Sequence, residues 1–288
     1  MSTDKYLMRI KRLSPLDRLV WWITERESIR LKKEAGEPRP WTDDPILDTY
    51  RFCCVRRMDD KVSKWLLDNW YKPYFNHPNM LCAVALARFI NKPESLEAIT
   101  GLVFPIGKKP RFDSIKSVLR KRRDAGNVIF NGAYMVRGND GIDKIECVVD
   151  HYVKPLKVQL ATNSMEDTWE QIHSCYGFGS FMAGQVVADL RHAVVGTWED
   201  NMTWAPIGPG SQRGLNRLLG LETNRSIPQK EFLVQLISMI DALYPKLPKA
   251  ITSRLEAHDF QNCLCEYDKY NRALFGEGKP KQLYRSQS

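Results

Sequence analysis

Apolar positions along most of the chain recur every three to four residues, the spacing that gathers them on one face of an α-helix. In KRLSPLDRLVWWITERESIRLKKE (11–34), Leu16, Leu19, Val20, Trp22, Ile23 and Leu31 form such a stripe, and Ser14-Pro15 supplies a helix start. GEPRPWTDDP then breaks the pattern with Gly36, Pro38, Pro40 and Pro45, which predicts a linker or an arm lying across the fold. Helical intervals resume in ILDTYRFCCVRRMDDKVSKWLLDNW (46–70) at Phe52, Val55, Val62, Trp65 and Leu66, and continue through PNMLCAVALARFINK, PESLEAITGLV, DSIKSVLRKRRDAG and MEDTWEQIHSCYGFG. KIECVVDHYV (144–153) alternates like a strand, and FNGAYMVRGNDG reads as a loop with at most a short extended piece. Together these predict a mainly α protein of about eight to eleven helices with little β, no internal repeat, and a polar tail, KPKQLYRSQS.

Composition adds a partner to this picture. At 288 residues, 43% hydrophobic and 27% charged, the chain is that of a globular protein with one large domain or two small ones. Its formal charge of +9 and pI near 9.1 suggest a polyanionic partner, most simply nucleic acid. The charge is concentrated: GKKPRFDSIKSVLRKRRDAG (107–126) carries eight basic side chains against two acidic ones, and MRIKRLSPLDR is a second cluster. Either could equally be a solvated helix face. Seven cysteines form neither a disulfide framework nor a zinc or iron-sulfur pattern, and no signal peptide or run of about 20 apolar residues occurs. A reduced, cytoplasmic protein with no structural metal and no membrane span is expected.

The segment CYGFGSFMAGQVVADLRH (175–192) places Gly177 and Gly179 between two helical stretches. Glycines there allow a tight turn, and the amides opening the second helix, with its dipole behind them, suit a phosphate. A plain helix connection would use the same residues. A dinucleotide fingerprint is excluded, because no strand precedes the first glycine and no third glycine follows at the required spacing. Tyr176, Gly177, Phe178, Gly179, Ala183, Val187 and Leu190 instead resemble the helix-hairpin-helix of the DNA glycosylase superfamily, with the hairpin spanning about 165–193. That superfamily carries an aspartate about twenty residues past the second glycine, followed by a basic helix. Asp200 lies twenty-one residues past Gly179, and Arg213 and Arg217 follow. The resemblance implies a two-lobed helical fold in which Gly177, Phe178, Gly179 and Ser180 hold one DNA strand while a base is flipped into a pocket.

Four further segments narrow this. YRFCCVRRMDDKVSKW (50–65), IFNGAYMV (129–136), GPGSQRGLNRL (208–218) and CLCEYDKYNRALFGEGKPK (263–281) resemble, in order, the α-glutamyl/putrescinyl thymine pyrophosphorylase family, itself related to the helical domain of 5-hydroxymethyluracil DNA kinases. The match covers roughly 45–285 and sets aside 1–44 as an N-terminal helix and Pro-rich arm. Arg51, Phe52, Val55, Arg57, Asp60, Lys61 and Val62 fit the first family segment, with Cys54 where many members carry asparagine. The resemblance implies phage DNA hypermodification in the cytoplasm of the infected bacterium. Its substrate would be double-stranded DNA carrying phosphorylated 5-hydroxymethyluracil, and a free amino acid or polyamine would displace the phosphate or pyrophosphate. No G-x-x-x-x-G-K-[ST] loop occurs in the chain, so phosphorylation falls to a partner kinase.

Such a displacement needs donors for a leaving polyanion and a carboxylate for the amine. Arg57, Arg213 and Arg217 are the candidate donors, with Asp60, Lys269 and Asp268 near them, and Asp200 is the candidate base. Asn131 could read the uracil edge and Tyr134 could stack on the flipped base. The resemblance makes no cofactor certain, though Mg2+ could accompany pyrophosphate. Each residue also has a structural reading: Asp200 as a helix cap or partner of Arg213, Asp60 with Arg57 as a surface pair, and Glu266, Asp268 and Lys269 as a helix terminus. Cysteine addition to the base is set aside in favour of buried thiols. A glycosylase that excises a modified base, or a non-catalytic DNA-binding scaffold, are the other two readings.

Overall fold

A computed structural model describes residues 3–132 and 141–284. In chain order the helices are α1 (Thr3–Arg12), α2 (Pro15–Glu34), α3 (Pro45–Thr49), α4 (Lys61–Leu66), α5 (Met80–Ile90), α6 (Pro93–Glu97), α7 (Thr100–Val103) and α8 (Phe112–Asp124). They continue with α9 (Lys144–Glu146), α10 (Met165–His173), α11 (Ser180–Leu190), α12 (Pro209–Leu218), α13 (Gln229–Leu243), α14 (Lys249–Thr252) and α15 (Ala257–Phe275). The protein is mainly α; extended pairing among the described residues is an isolated bridge between Tyr50 and Leu283. The fifteen α segments among the described residues exceed the eight to eleven expected because several are single turns, too short to leave a periodic stripe in the sequence.

The strand expected at KIECVVDHYV is a helix. Residues Lys144–Glu146 run on into π-helical turns over Cys147–Val153, burying Ile145, Cys147, Val148, Val149, Tyr152 and Val153. The buried pairs Val148–Val149 and Tyr152–Val153 recur four residues apart, as a helix face requires, whereas Ile145, Cys147 and Val149 alternate in the sequence as a strand would.

Two compact units divide the chain after Asp60 and after Asn201. The first combines residues 1–60 with 202–288, so the N-terminal helix and Pro-rich arm, expected as a separate segment up to 44, belong to the same unit as α12–α15. Its core joins Leu19, Trp22 and Ile23 of α2, Leu47 of α3, Phe52, Leu215 of α12, Phe232 and Leu236 of α13, and Phe260, Leu264, Tyr267 and Tyr270 of α15. Asp44 ties the arm in: it caps α3 through the Ile46 and Leu47 amides (2.9 and 2.8 Å) and accepts the Tyr270 hydroxyl at 2.8 Å. Ser14 caps α2 as the sequence indicates, accepting the Asp17 amide at 3.1 Å.

The second unit, 61–201, surrounds α5, whose Ala83, Val84, Ala85, Leu86 and Ala87 are fully buried; a helix apolar on all sides belongs at the centre of its unit. Arg88 on α5 meets Asp189 on α11 through two hydrogen bonds of 2.5 and 2.6 Å, and Tyr71 donates to the same carboxylate. Both charged groups are almost wholly buried, so the pair fixes α11 on α5.

Candidate functional site

In the first unit, three of the four family-like segments meet on α15, which buries three different faces. Its apolar face, with Phe260, Cys263, Tyr267, Tyr270 and Leu274, enters the core. A second face, Asp259, Asn262, Glu266 and Lys269, follows the three-to-four-residue helical repeat and holds residues 51–57 in reverse direction. Lys269 Nζ donates to the Arg51 carbonyl (2.8 Å), the Cys53 amide donates to Glu266 Oε2 (2.9 Å), Asn262 donates to the Cys54 carbonyl (3.3 Å), and the Arg57 amide donates to Asp259 Oδ1 (2.8 Å). Residues 51–55 lie outside any helix, and these side chains satisfy part of the segment's backbone, with the Arg51 amide on the Gln282 carbonyl.

The third face receives α12. Glycines at 210 and 214 let the two helices approach closely: a Cβ at Gly210 would overlap the Cys265 sulfur, and one at Gly214 would overlap the Leu264 carbonyl. This approach carries Arg213 and Arg217, one turn apart, onto Asp268. Arg213 Nε donates to Asp268 Oδ2 at 2.9 Å, Arg217 Nε donates to Oδ1 at 2.8 Å, and Arg272 Nε lies 3.3 Å from Oδ2. Asp268 has no exposed side-chain surface, so it is a buried counter-ion to three guanidinium groups. Arg217 also forms a two-pronged contact with Glu277, Nη1 to Oε1 at 3.0 Å and Nη2 to Oε2.

Asp60 closes the 51–60 segment on itself by accepting the Cys54 amide at 2.9 Å. Burial pushes its carboxyl above the usual carboxylate range, outweighing that amide and the Arg26 charge. The Arg57 guanidinium lies 3.5 Å from His258 Nε2. Burial, with Asp60 adding to it, raises the Cys54 thiol to about 12, and burial with Glu266 raises Cys265 to about 11. Neither is a thiolate at neutral pH, in keeping with cysteines that pack rather than react.

In the second unit, α10, a six-residue turn and α11 form the helical hairpin the glycines indicate. Gly177 adopts φ +85°, and a Cβ there would overlap the Tyr152 ring. Gly179, at φ −68°, is the N-cap of α11 and faces open space. Phe178 is buried edge-on to Phe89 (5.2 Å), while Tyr176 and Phe181 are exposed. Ser180 opens α11, and its carbonyl accepts Trp169 Nε1 at 3.0 Å. Asp200 lies at the start of α10: Oδ1 accepts the Met165 amide at 2.7 Å, while Oδ2 accepts the Glu166 amide at 2.9 Å and the Ser164 hydroxyl at 3.2 Å. It therefore holds the first helix of the hairpin by amides that have no partner within the helix. Trp198, two residues earlier, sits at φ +48°, a conformation costly for a bulky side chain.

Asn131 belongs to this second unit, where its amide donates to the Ile90 carbonyl at 2.9 Å. Tyr134 lies outside the described residues. The site residues the sequence groups together are thus distributed: Arg57, Asp60, Arg213, Arg217, Asp268 and Lys269 in the first unit, Asn131, the hairpin and Asp200 in the second. Sequence reasoning does not single out Arg272, Glu277 or Asp259; Arg272 was discoverable as the residue one helical turn after Asp268.

The basic stretch 107–126 is partly neutralised. On α8, Lys116 pairs with Asp113 and Asp150, Arg120 with Asp143 and Glu146, and Arg123 with Asp124 and Asp143. Among the described residues, no group of three or more His, Cys, Asp or Glu side chains is placed to hold a metal ion, and no helix is long and apolar enough to cross a membrane.

Residues 14–279 match the family described as "5-hmdU DNA kinase, helical domain". Over 219 residues the chain is 29% identical to the 5-hmdU DNA kinase of Bacillus phage SP10, an alignment covering 67% of this chain. It covers 34% of that kinase, so the chain spans about a third of the length of this curated relative. No solved structure gives a significant match.

Proposed function

Because the chain belongs to the family of 5-hmdU DNA kinase helical domains, we propose that it serves thymine hypermodification in phage DNA as an amine transferase. It would displace the phosphate or pyrophosphate of a 5-(phospho- or pyrophospho-oxymethyl)uracil with an amino acid or polyamine. The observation that carries this reading is the convergence of three family-like segments on α15, with Arg213, Arg217 and Arg272 around the buried Asp268. The chain holds no phosphate-binding G-x-x-x-x-G-K-[ST] loop, so the kinase step is assigned to a separate activity that acts before it.

The amine nitrogen attacks the 5-methylene carbon, the carbon–oxygen bond breaks, and the electron pair leaves with the phosphate oxygen. Guanidinium groups stabilise that charge as it develops. The attacking amine must shed a proton, and Asp60, a carboxyl whose proton affinity burial raises, is suited to receive it. Asp200, engaged by three donors, positions α10 and the hairpin. The amides opening α11 beside Gly179 are the proposed contact to the DNA backbone, as in a helix-hairpin-helix.

The test incubates the protein with DNA bearing pyrophosphorylated 5-hydroxymethyluracil and a panel of amino acids and polyamines, then weighs the digested nucleosides. A nucleoside heavier by the amine adduct is expected. No new mass with any amine overturns the reading, and abasic sites instead would establish base excision.

A further inference from the structure

A guanidinium that meets a carboxylate through Nε alone keeps its two Nη groups for another anion. Arg213 donates to Asp268 in this way, and Arg272 brings its Nε to 3.3 Å of the same carboxylate without a hydrogen bond; their side chains are 33% and 38% exposed. Arg217 shows what the arrangement accepts. With its Nε on Asp268, its Nη pair takes the carboxylate of Glu277 in two-pronged fashion. Glu277 comes from outside the helix pair: α15 ends at Gly276, φ +77°, and Glu277 follows on the C-terminal segment, 45% exposed. Three positive charges stand against two negative ones, and one of the two is held by a partly exposed side chain.

We propose that the Nη edges of Arg213, Arg217 and Arg272 form a pyrophosphate-binding site on α12 and α15, and that Glu277 occupies it as a carboxylate stand-in until the polyanion displaces it. The choice of pyrophosphate rests on the amine-transfer reading, in which it is the leaving group. Glu277 then has two effects: it keeps the site from trapping free polyanions, and its return favours product release. A purely structural network would instead use Glu277 to fasten the C-terminal segment to α12, with no response to phosphate compounds.

The test measures binding of inorganic pyrophosphate, and of inorganic phosphate in parallel, to the full chain without DNA by titration calorimetry. Pyrophosphate should bind more tightly than phosphate. Glu277→Gln should tighten it about fivefold, the scale of one partly exposed ion pair, while Arg213→Gln and Arg272→Gln should each weaken it about tenfold or more. Both arginines are partly exposed, and thermal melts check that the variants stay folded. Unchanged or weaker binding by Glu277→Gln overturns the inference, as does unchanged binding by both arginine variants. If this pattern appears but no amine adduct forms on DNA, the anion site stands and the transferase reading falls; adduct formation without pyrophosphate binding has the reverse meaning.

Discussion

Gly177 is held by two separate constraints, its φ of +85° and the Tyr152 ring against its α-carbon. Gly179, the second glycine of the same turn, has neither, so the two glycines of one motif serve different ends. Gly177→Ala should lower stability by about 1–3 kcal/mol, read as a drop in melting temperature. Gly179→Ala should lower the melt less than Gly177→Ala, by no more than the preference for glycine over alanine at an N-cap, and weaken DNA binding, because its added methyl group stands where the backbone amides are approached. Asp60 poses a different question at this scale. Its carboxyl is raised in the folded state, so the stability it contributes is present below the unfolded range near pH about 4 and is lost as pH rises through the folded value. Asp60→Asn, which keeps an acceptor for the Cys54 amide, should therefore melt higher than the parent at pH 7, with the advantage vanishing at pH about 4. Loss of amine transfer in the same variant would mark a carboxyl retained for chemistry at the expense of stability. A lower melting temperature at pH 7 would show that the Asp60 charge is well compensated.

At the scale of elements, α15 gathers the polar groups of the first unit because three of its faces are covered. The close approach of α12 depends on Gly210 and Gly214, four residues apart and therefore on one face. Gly214→Ala would drive a methyl group into the Leu264 carbonyl, part of the helix backbone, which cannot swing aside. A decrease of about 3 kcal/mol or more is expected on denaturant unfolding, with weaker pyrophosphate binding as Arg213 and Arg217 draw back from Asp268. Full stability and unchanged binding would show that the helix pair tolerates separation. The elements are unevenly legible in the sequence. The caps and stripes of α2 and the glycine hairpin follow local rules, and both are where the sequence places them. The 144–153 helix defeats the same rules, because a π turn changes the period on which they rest. Asp268 could be suspected from its segment, but its burial under Arg213 and Arg217 could not, since they come from α12, far from it in the chain.

For the whole molecule, the placement of the basic residues decides what a polyanion meets. The 43 lysines and arginines include Arg120 and Arg123, whose charge Asp143 and Glu146 cancel, and Arg18, buried with its guanidinium on the Ile10, Lys11 and Leu13 carbonyls. Lys108, Lys109 and Lys121 have no ion pair among the described residues and sit in the same basic stretch. Replacing these three lysines with glutamine should flatten the dependence of DNA affinity on salt, by about one unit of log–log slope for each phosphate no longer neutralised. Arg120→Gln should change the slope little and lower the melting temperature instead. Equal effects would mean that the α8 ion pairs open on DNA.

The sequence by itself determined the helical class, the capped starts, the glycine turn and the basic balance, because these depend on periodicity, local backbone preference and composition. It also carried the relation to the helical domain of 5-hmdU DNA kinases. Only the tertiary structure decided which charges remain available and which residues act together. Pairing depends on side chains brought near one another from distant positions: it sets Asp200 at the start of α10, Asp60 on the Cys54 amide, and Asp268 at the centre of an arginine cluster, with Glu277 across its open edge.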